Sequence, residues 1–168
     1  VDMSKGSMSV GGYFTEMLDP TMSWDDVASL VEFWDGQFCL KGVMSVEDAK
    51  RAVEIGCTGI VVSNHGGRQL DGGRSSFDQL EEIVGAVGDQ IDVILDSGIQ
   101  RGSHVLKALS LGAKAVGGGR FYLYALAAAG GQGVERALQI MHEEIERDMR
   151  LMGVSSIQEL SRDNLRFR

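Results

Sequence analysis

The chain has 168 residues, 43% of them apolar, with 16 Lys+Arg against 24 Asp+Glu and a formal net charge of −8. That length suits one domain with a single buried core, and the apolar fraction excludes a disordered chain. The acidic balance argues against a broad nucleic-acid or anionic-lipid surface, yet leaves room for a small anionic ligand at a locally positive site. No apolar run approaches the roughly 20 residues that span a bilayer, and no basic segment followed by an apolar stretch opens the chain. Cys39 and Cys57 lie in apolar runs and are expected to be reduced core residues, which fits a cytosolic setting. The sequence starts at Val1, which points to a piece of something longer or processed.

In chain order, Ser23 to Trp34 reads as a helix, preceded by Pro20 and capped by Ser23. Its Trp24, Phe33 and Trp34 are expected to pack rather than to stack on a nucleotide. Phe38–Gly42 is the first of four short apolar runs. Ser45-Val46-Glu47-Asp48 then opens a capped helix that stops at Gly56. Gly59–Asn64 is the second run, and Phe77 to Val87 carries Phe77, Leu80, Ile83, Val84 and Val87 on one helical face. Val93–Gly98 is the third run, followed by a helix from Ser103 to Leu111. The fourth, Ala115–Arg120, is weakened as a strand by Gly117 and Gly118. A longer amphipathic helix is expected over 135–152. The apolar runs read as buried strands. Spacings of 23, 32 and 23 residues between the ends of successive strands suit βα units in a parallel sheet.

The chemically distinctive residues fall just after these strands, where ligands bind in such folds. Lys41 ends the first strand, either as a solvated lysine or as a fixed charge at a ligand site. After the second strand stands Ser63-Asn64-His65-Gly66-Gly67-Arg68-Gln69-Leu70-Asp71. Histidine can exchange a proton near neutrality, arginine can grip a carboxylate through two parallel hydrogen bonds, and the glycines let backbone approach a ligand. Asp71 either orients a cation or caps the turn. Asp96-Ser97-Gly98-Ile99-Gln100-Arg101-Gly102 and Gly117-Gly118-Gly119-Arg120 each lead into a helix, offering backbone N–H groups to an anion. His104 and His142 read as structural, without Cys/His partners at metal spacing.

These motifs, in this order, resemble the FMN-dependent α-hydroxy-acid dehydrogenase/oxidase family, which includes L-lactate dehydrogenases and glycolate oxidases. The carrying residues are Leu40-Lys41-Gly42, Ser63 to Asp71, Asp96-Ser97-Gly98 and Gly119-Arg120, supported by Lys107 to Ala113 and Asp19 to Trp24. The resemblance implies a TIM (β/α)8 barrel of class α/β, of which residues 1–168 would supply the C-terminal half: about four βα units and a C-terminal helix. It implies FMN held by Lys41, Ser63, His65, Asp96, Ser97, Gly98, Gln100, Gly119 and Arg120, with Lys41 near the flavin N1–C2 carbonyl. His65 would be the catalytic base for a small L-2-hydroxy acid, favoured as L-lactate, with hydride transfer to flavin; in a variant mechanism it takes the α-proton. Arg68 would bind the substrate carboxylate. Two departures stand out: family members often carry arginine where Gln100 stands, leaving Arg101 or Arg120 to compensate, and bulky apolar residues where Gly117 and Gly118 stand.

A half-barrel exposes sheet edges and an apolar interior, so a missing N-terminal half-barrel or self-association is expected, and a homo-oligomer with it. The electron acceptor, whether oxygen, a quinone or a cytochrome, would decide between a cytoplasmic location and one at a membrane. Competing readings are a non-catalytic half-barrel that binds a phosphate-bearing ligand or a partner chain, and another FMN barrel such as a type 2 isopentenyl-diphosphate isomerase.

Overall fold

The computed structural model describes residue 12 and residues 16–166. The chain divides into two compact units, one ending at Asp35 and the other beginning at Gly36. The first unit contains helix α1 (Trp24–Trp34), started by a reciprocal cap in which Ser23 Oγ accepts from the Asp26 amide and Asp26 accepts from the Ser23 amide. It ends at Asp35 in the left-handed region, φ 47°. Phe33 and Trp34, expected to pack, are exposed.

The second unit is a four-stranded parallel sheet in the order β1-β2-β3-β4, which is also the chain order. Its strands are β1 (Cys39–Val43), β2 (Gly59–Val62), β3 (Asp92–Asp96) and β4 (Ala115–Gly117). The connecting helices are α2 (Val46–Glu54), α3 (Ser76–Val87) and α4 (Gly102–Ser110), and α5 (Gly119–Met152) follows β4. Each of the four expected βα units is present. The weak fourth run keeps only three strand residues, consistent with its glycines. The helical run expected after Arg120 and the helix expected over 135–152 form one element, α5, which begins at Gly119 and is kinked at Ala129–Gly130, where Gly130 takes φ 61°.

Side chains alternate across each strand, and one face of the sheet is packed while the other is open. Ile60, Val62, Val93 and Leu95 are 0–1% exposed and share the packed side with Leu80, Ile83 and Val87 of α3. Each such aliphatic side chain contributes roughly 1.5–3 kcal/mol by leaving water. On the other face, Lys41, Val61, Ile94 and Ala115 stand in register and are only partly covered or exposed. Cys57 is buried as expected, but Cys39 is exposed. It occupies the same side of β1 as Lys41, so its apolar neighbours in sequence do not cover it.

The sheet positions the site through its register. Lys41 pairs with Val61, and Val61 with Ile94, so the ends of β1, β2 and β3 are level. The residues that follow them, Ser63 and Ser97 among them, therefore emerge at one edge.

Candidate active site

Lys41 is the centre of a three-strand network. Its Nζ lies 2.8 Å from Asp96 Oδ2 and donates to Ser63 Oγ at 3.0 Å. Ser97 Oγ donates to Asp96 Oδ1 at 2.7 Å. Lys41 is thus held by Asp96, at the end of β3, and by Ser63, the residue after β2. Burial acts first on Asp96 and would raise its pKa. Hydrogen bonds from Lys41, Ser63 and Ser97, together with the Lys41 charge, outweigh that and hold the carboxyl below its ordinary range.

A pH dependence follows from that direction. A carboxyl with a folded-state pKa below its unfolded value stabilises the fold above the unfolded value, near pH 3.9, and loses that contribution as pH falls through the folded value. The melting temperature of an Asp96→Asn variant is therefore expected to fall less steeply than that of wild type between about pH 4 and pH 2. Parallel thermal melts across that window check it; identical slopes would remove Asp96 from the acid response.

His65 opens a short 3-10 turn (His65–Gly67) directly after β2. Its amide donates to Ser63 Oγ at 3.2 Å, tying it to the Lys41 network. Its backbone is left-handed, φ 56°, as is that of Ser97, φ 76°. Strained conformations at non-glycine residues persist where surrounding structure enforces them, and they concentrate at functional sites. The imidazole lies over the end of β1: a Cβ placed on Gly42 would stand 3.2 Å from His65 Cε1. Glycine at 42, itself at φ 100°, is what allows that approach.

The turn is built by local bonds. Asn64 Oδ1 accepts from the Gly67 amide, and the Asn64 amide donates to the buried Ser76 Oγ at the start of α3. The Gly66 amide donates to Ser97 Oγ at 3.0 Å, and the Gly66 carbonyl accepts from Arg120 Nη2 at 2.6 Å. A Cβ at Gly66 would collide with the Arg120 guanidinium. Asp71 accepts from the Gly72 amide and so caps its own turn.

Beside this network lies a cleft of about 420 Å³ lined by Gly66, Ser97, Gly98, His104, Lys107 and Arg120, among others. Its size is that of a small-molecule site. Gly119 and Arg120 form the first turn of α5, so the cleft receives a guanidinium at a helix N-terminus.

The structure thus brings together Lys41, Ser63, His65, Asp96, Ser97, Gly98, Gly119 and Arg120. It leaves Arg68 exposed at the end of the 3-10 turn and outside the cleft lining. Gln100 is also outside that lining; its amide donates to His104 Nδ1 at 3.3 Å. Arg101, a potential substitute cation, is held by Glu144 of α5 at 2.6 Å, and Glu144 also accepts from the Gly102 amide at 2.8 Å. The first amide of α4 is therefore engaged by a carboxylate of this chain. Lys107 and His104 were not among the residues expected to bind a ligand. Their position three residues apart, on a helix directly after a ligand-bearing loop, was the signal that could have found them. At Gly117, a Cβ would stand 3.1 Å from Asp96 Cβ, so glycine here gives Asp96 room. Among the described residues, no group of three or more His, Cys, Asp or Glu side chains could hold a metal ion, and no helix is long and apolar enough to cross a membrane.

A family model described as FMN-dependent dehydrogenase matches residues 2–167. The chain belongs to this family. Among its relatives, a pre-mycofactocin synthase of Mycobacterium tuberculosis is 50% identical over 145 residues, covering 86% of this chain and 37% of that protein. An L-lactate dehydrogenase of Acinetobacter baumannii is 47% identical over 154 residues, covering 92% and 40%. A solved flavocytochrome b2 mutant with pyruvate bound is 46% identical and superposes with a TM-score of 0.83 over 87% of this chain and 38% of that one. The chain spans about two fifths of the length of these proteins. Its fold is that of part of a TIM barrel, and the open sheet with one uncovered face is the corresponding arc.

Proposed function

We propose that this chain forms the FMN-binding arc of an oxidoreductase that converts a small L-2-hydroxy acid, favoured as L-lactate, to the 2-oxo acid. The observation that carries the reading is the joining of His65, Ser63, Lys41 and Asp96 in one network beside a cleft containing Arg120.

The residues present fit FMN. Arg120, at the N-terminus of α5, and Lys107 would hold the phosphate; Ser97 and Gly98 line the same cleft and, with Gly119 next to Arg120 in the chain, suit the ribityl-phosphate. Gly66 keeps the space next to Arg120 free of a side chain. Lys41, already positioned by Asp96 and Ser63, would place positive charge near the flavin ring. Bound FMN would supply the two-electron acceptor for the hydride that leaves the substrate's α-carbon.

The chain's own residues would do the rest. His65 would take the hydroxyl proton as the carbon–oxygen double bond forms, its ring given room by the glycine at 42 and its backbone tied to Ser63 Oγ. Arg68 follows in the same turn, and its exposed side chain would swing to the substrate carboxylate when one binds. The open face of the sheet calls for complementary strands, from an N-terminal half-barrel or from a second copy in a homo-oligomer. The electron acceptor, and with it a cytoplasmic or membrane-surface location, belongs to the same proposal.

The test is a visible spectrum of the chain after FMN addition and desalting, followed by L-lactate without oxygen. Retained flavin that bleaches supports the reading, and L-mandelate in place of L-lactate tests the substrate choice. Retained flavin that bleaches with no 2-hydroxy acid would favour a chain that binds a phosphate-bearing ligand without this chemistry.

A further inference from the structure

We propose that Glu144 of α5 is a positioning residue for the cleft: it caps α4 from another helix and so holds the Gly98–Gln100 loop and the α4 residues that would meet the phosphate. This rests on the FMN reading and adds to it a residue outside the cleft lining.

Helices α1, α2 and α3 are each started by a serine of their own: Ser23, Ser45 and Ser75 accept from the amide three residues on. Helix α4 has no such residue. Arg101 stands at its N-cap, in extended backbone, and makes no side-chain capping bond. The cap comes instead from a residue 42 positions beyond Gly102. Glu144 Oε2 accepts from the Gly102 amide at 2.8 Å, and Oε1 accepts from Arg101 Nε at 2.7 Å.

The fit is close. Glu144 is 8% exposed and Gly102 is buried. A Cβ on Gly102 would stand 2.6 Å from Glu144 Cβ and 2.7 Å from the Ile145 amide nitrogen, so glycine is what lets α5 come this near. Hydrogen bonds from Arg101 and from the Gly102 amide hold the Glu144 carboxyl below its ordinary range, which keeps it an acceptor at neutral pH. Its two bonds differ in setting. The Arg101 side chain is 63% exposed, so solvent screens the ion pair, whereas the bond to the Gly102 amide is buried.

What the cap holds leads to the cleft. His104 lies in the first turn of α4, and its Nδ1 is 3.1 Å from the Gly98 carbonyl oxygen and 3.3 Å from the Gln100 amide nitrogen. Either contact ties the loop to that turn. The loop needs a hold, because Ser97 and Gly98 both take left-handed backbone, φ 76° and φ 83°, and a non-glycine residue stays there only where its surroundings enforce it. Gly98, Ile99, His104 and Lys107 all line the cleft, so a shift in where α4 begins moves all four relative to Arg120.

Loss of Glu144 also releases Arg101, a cation next to the loop, so the test is made with Arg101 replaced. FMN is titrated calorimetrically into wild type, Arg101→Met, Arg101→Met/Glu144→Gln and Arg101→Met/Glu144→Ala, with a thermal melt of each. Glutamine keeps a carbonyl oxygen for the Gly102 amide, and alanine keeps none. Ser45→Ala is the control: it removes the cap of α2, a helix whose residues do not line the cleft. The expected result is wild-type affinity for Arg101→Met, for the glutamine double variant and for Ser45→Ala, and affinity about 3–30-fold lower for the alanine double variant, the range of one lost helix cap. Both cap deletions should lower the melting temperature. A matching loss of affinity in Ser45→Ala would show that binding only follows stability and would overturn the proposal. So would a glutamine double variant as weak as the alanine one, or an alanine double variant at wild-type affinity. If the alanine double variant does not fold, Glu144→Asp in the same background, one methylene short of the amide, takes its place with the same expected loss, and wild-type affinity there overturns the proposal. A wild-type chain that takes up no FMN overturns the FMN reading, and this proposal with it.

Discussion

Replacing His65 with Gln is expected to lower turnover of the FMN-loaded protein by ~10²–10⁴-fold, the usual contribution of a positioned general base. Glutamine preserves the approximate volume and can still hydrogen-bond, but cannot accept a proton near neutrality. The backbone bonds that hold the turn do not depend on the imidazole: the residue-65 amide still reaches Ser63 Oγ, and Gly66 still bridges Ser97 and Arg120. Flavin content should therefore match wild type. Anaerobic stopped-flow bleaching with L-lactate measures the loss directly, and retained absorbance shows that the site is loaded. A variant that bleaches at the wild-type rate would remove His65 from proton transfer.

The second large effect is expected at Lys41. Lys41→Met should slow bleaching by ~10²–10³-fold, the range seen when one preorganised electrostatic contact is removed from an active site. The physical reason lies partly with Asp96. In wild type its carboxylate is paired with Lys41 at 2.8 Å. Without the cation, burial acts on Asp96 with only the serine hydrogen bonds opposing it, so its pKa moves upward. The site then loses a positive charge and keeps an unpaired negative one. The folding cost is smaller. Lys41 is half exposed, so solvent screening reduces the loss to roughly 1 kcal/mol, about 2–4 °C in melting temperature for a chain of this size. The two readouts separate the roles: a bleaching rate within twofold of wild type alongside the lower melting temperature would make Lys41 a structural residue only.

These two residues also show how different kinds of information were divided between sequence and structure. His65 was recognisable because a histidine between a short apolar run and two glycines is an expensive choice for a simple turn. The network around it was not. Nothing in local spacing says that Lys41 meets Asp96 rather than a nearer carboxylate such as Glu47 or Asp48. The meeting depends on β1, β2 and β3 pairing in a register that brings their ends level.

The same division explains the departures. Arg101 read as a possible substitute cation because it stands next to Gln100. Its partner Glu144 lies 43 residues further on, and packing of α5 against α4 brings the two together. Cys39 read as a core residue from its apolar neighbours, but strand alternation turned it onto the open face with Lys41. The helical run expected after Gly117–Arg120 is present and carries Arg120 to the cleft; what the sequence did not show is that it continues, across the kink at Ala129–Gly130, into the helix expected over 135–152.

By itself, then, the sequence determined the succession of βα units, the helix caps at Ser23 and Ser45, and the strand-end positions of the polar residues. Each of these is a local matter of periodicity, capping and chain stiffness, written within a dozen residues. Tertiary structure decided which of those polar residues meet. It joined Lys41 to Asp96, Arg120 to Gly66 and Arg101 to Glu144, admitted His104 and Lys107 to the cleft, and left Arg68 and Gln100 outside its lining. Those outcomes depend on strand register and helix packing between distant segments, where the free energy of burial, rather than the preference of any one residue, sets the distances.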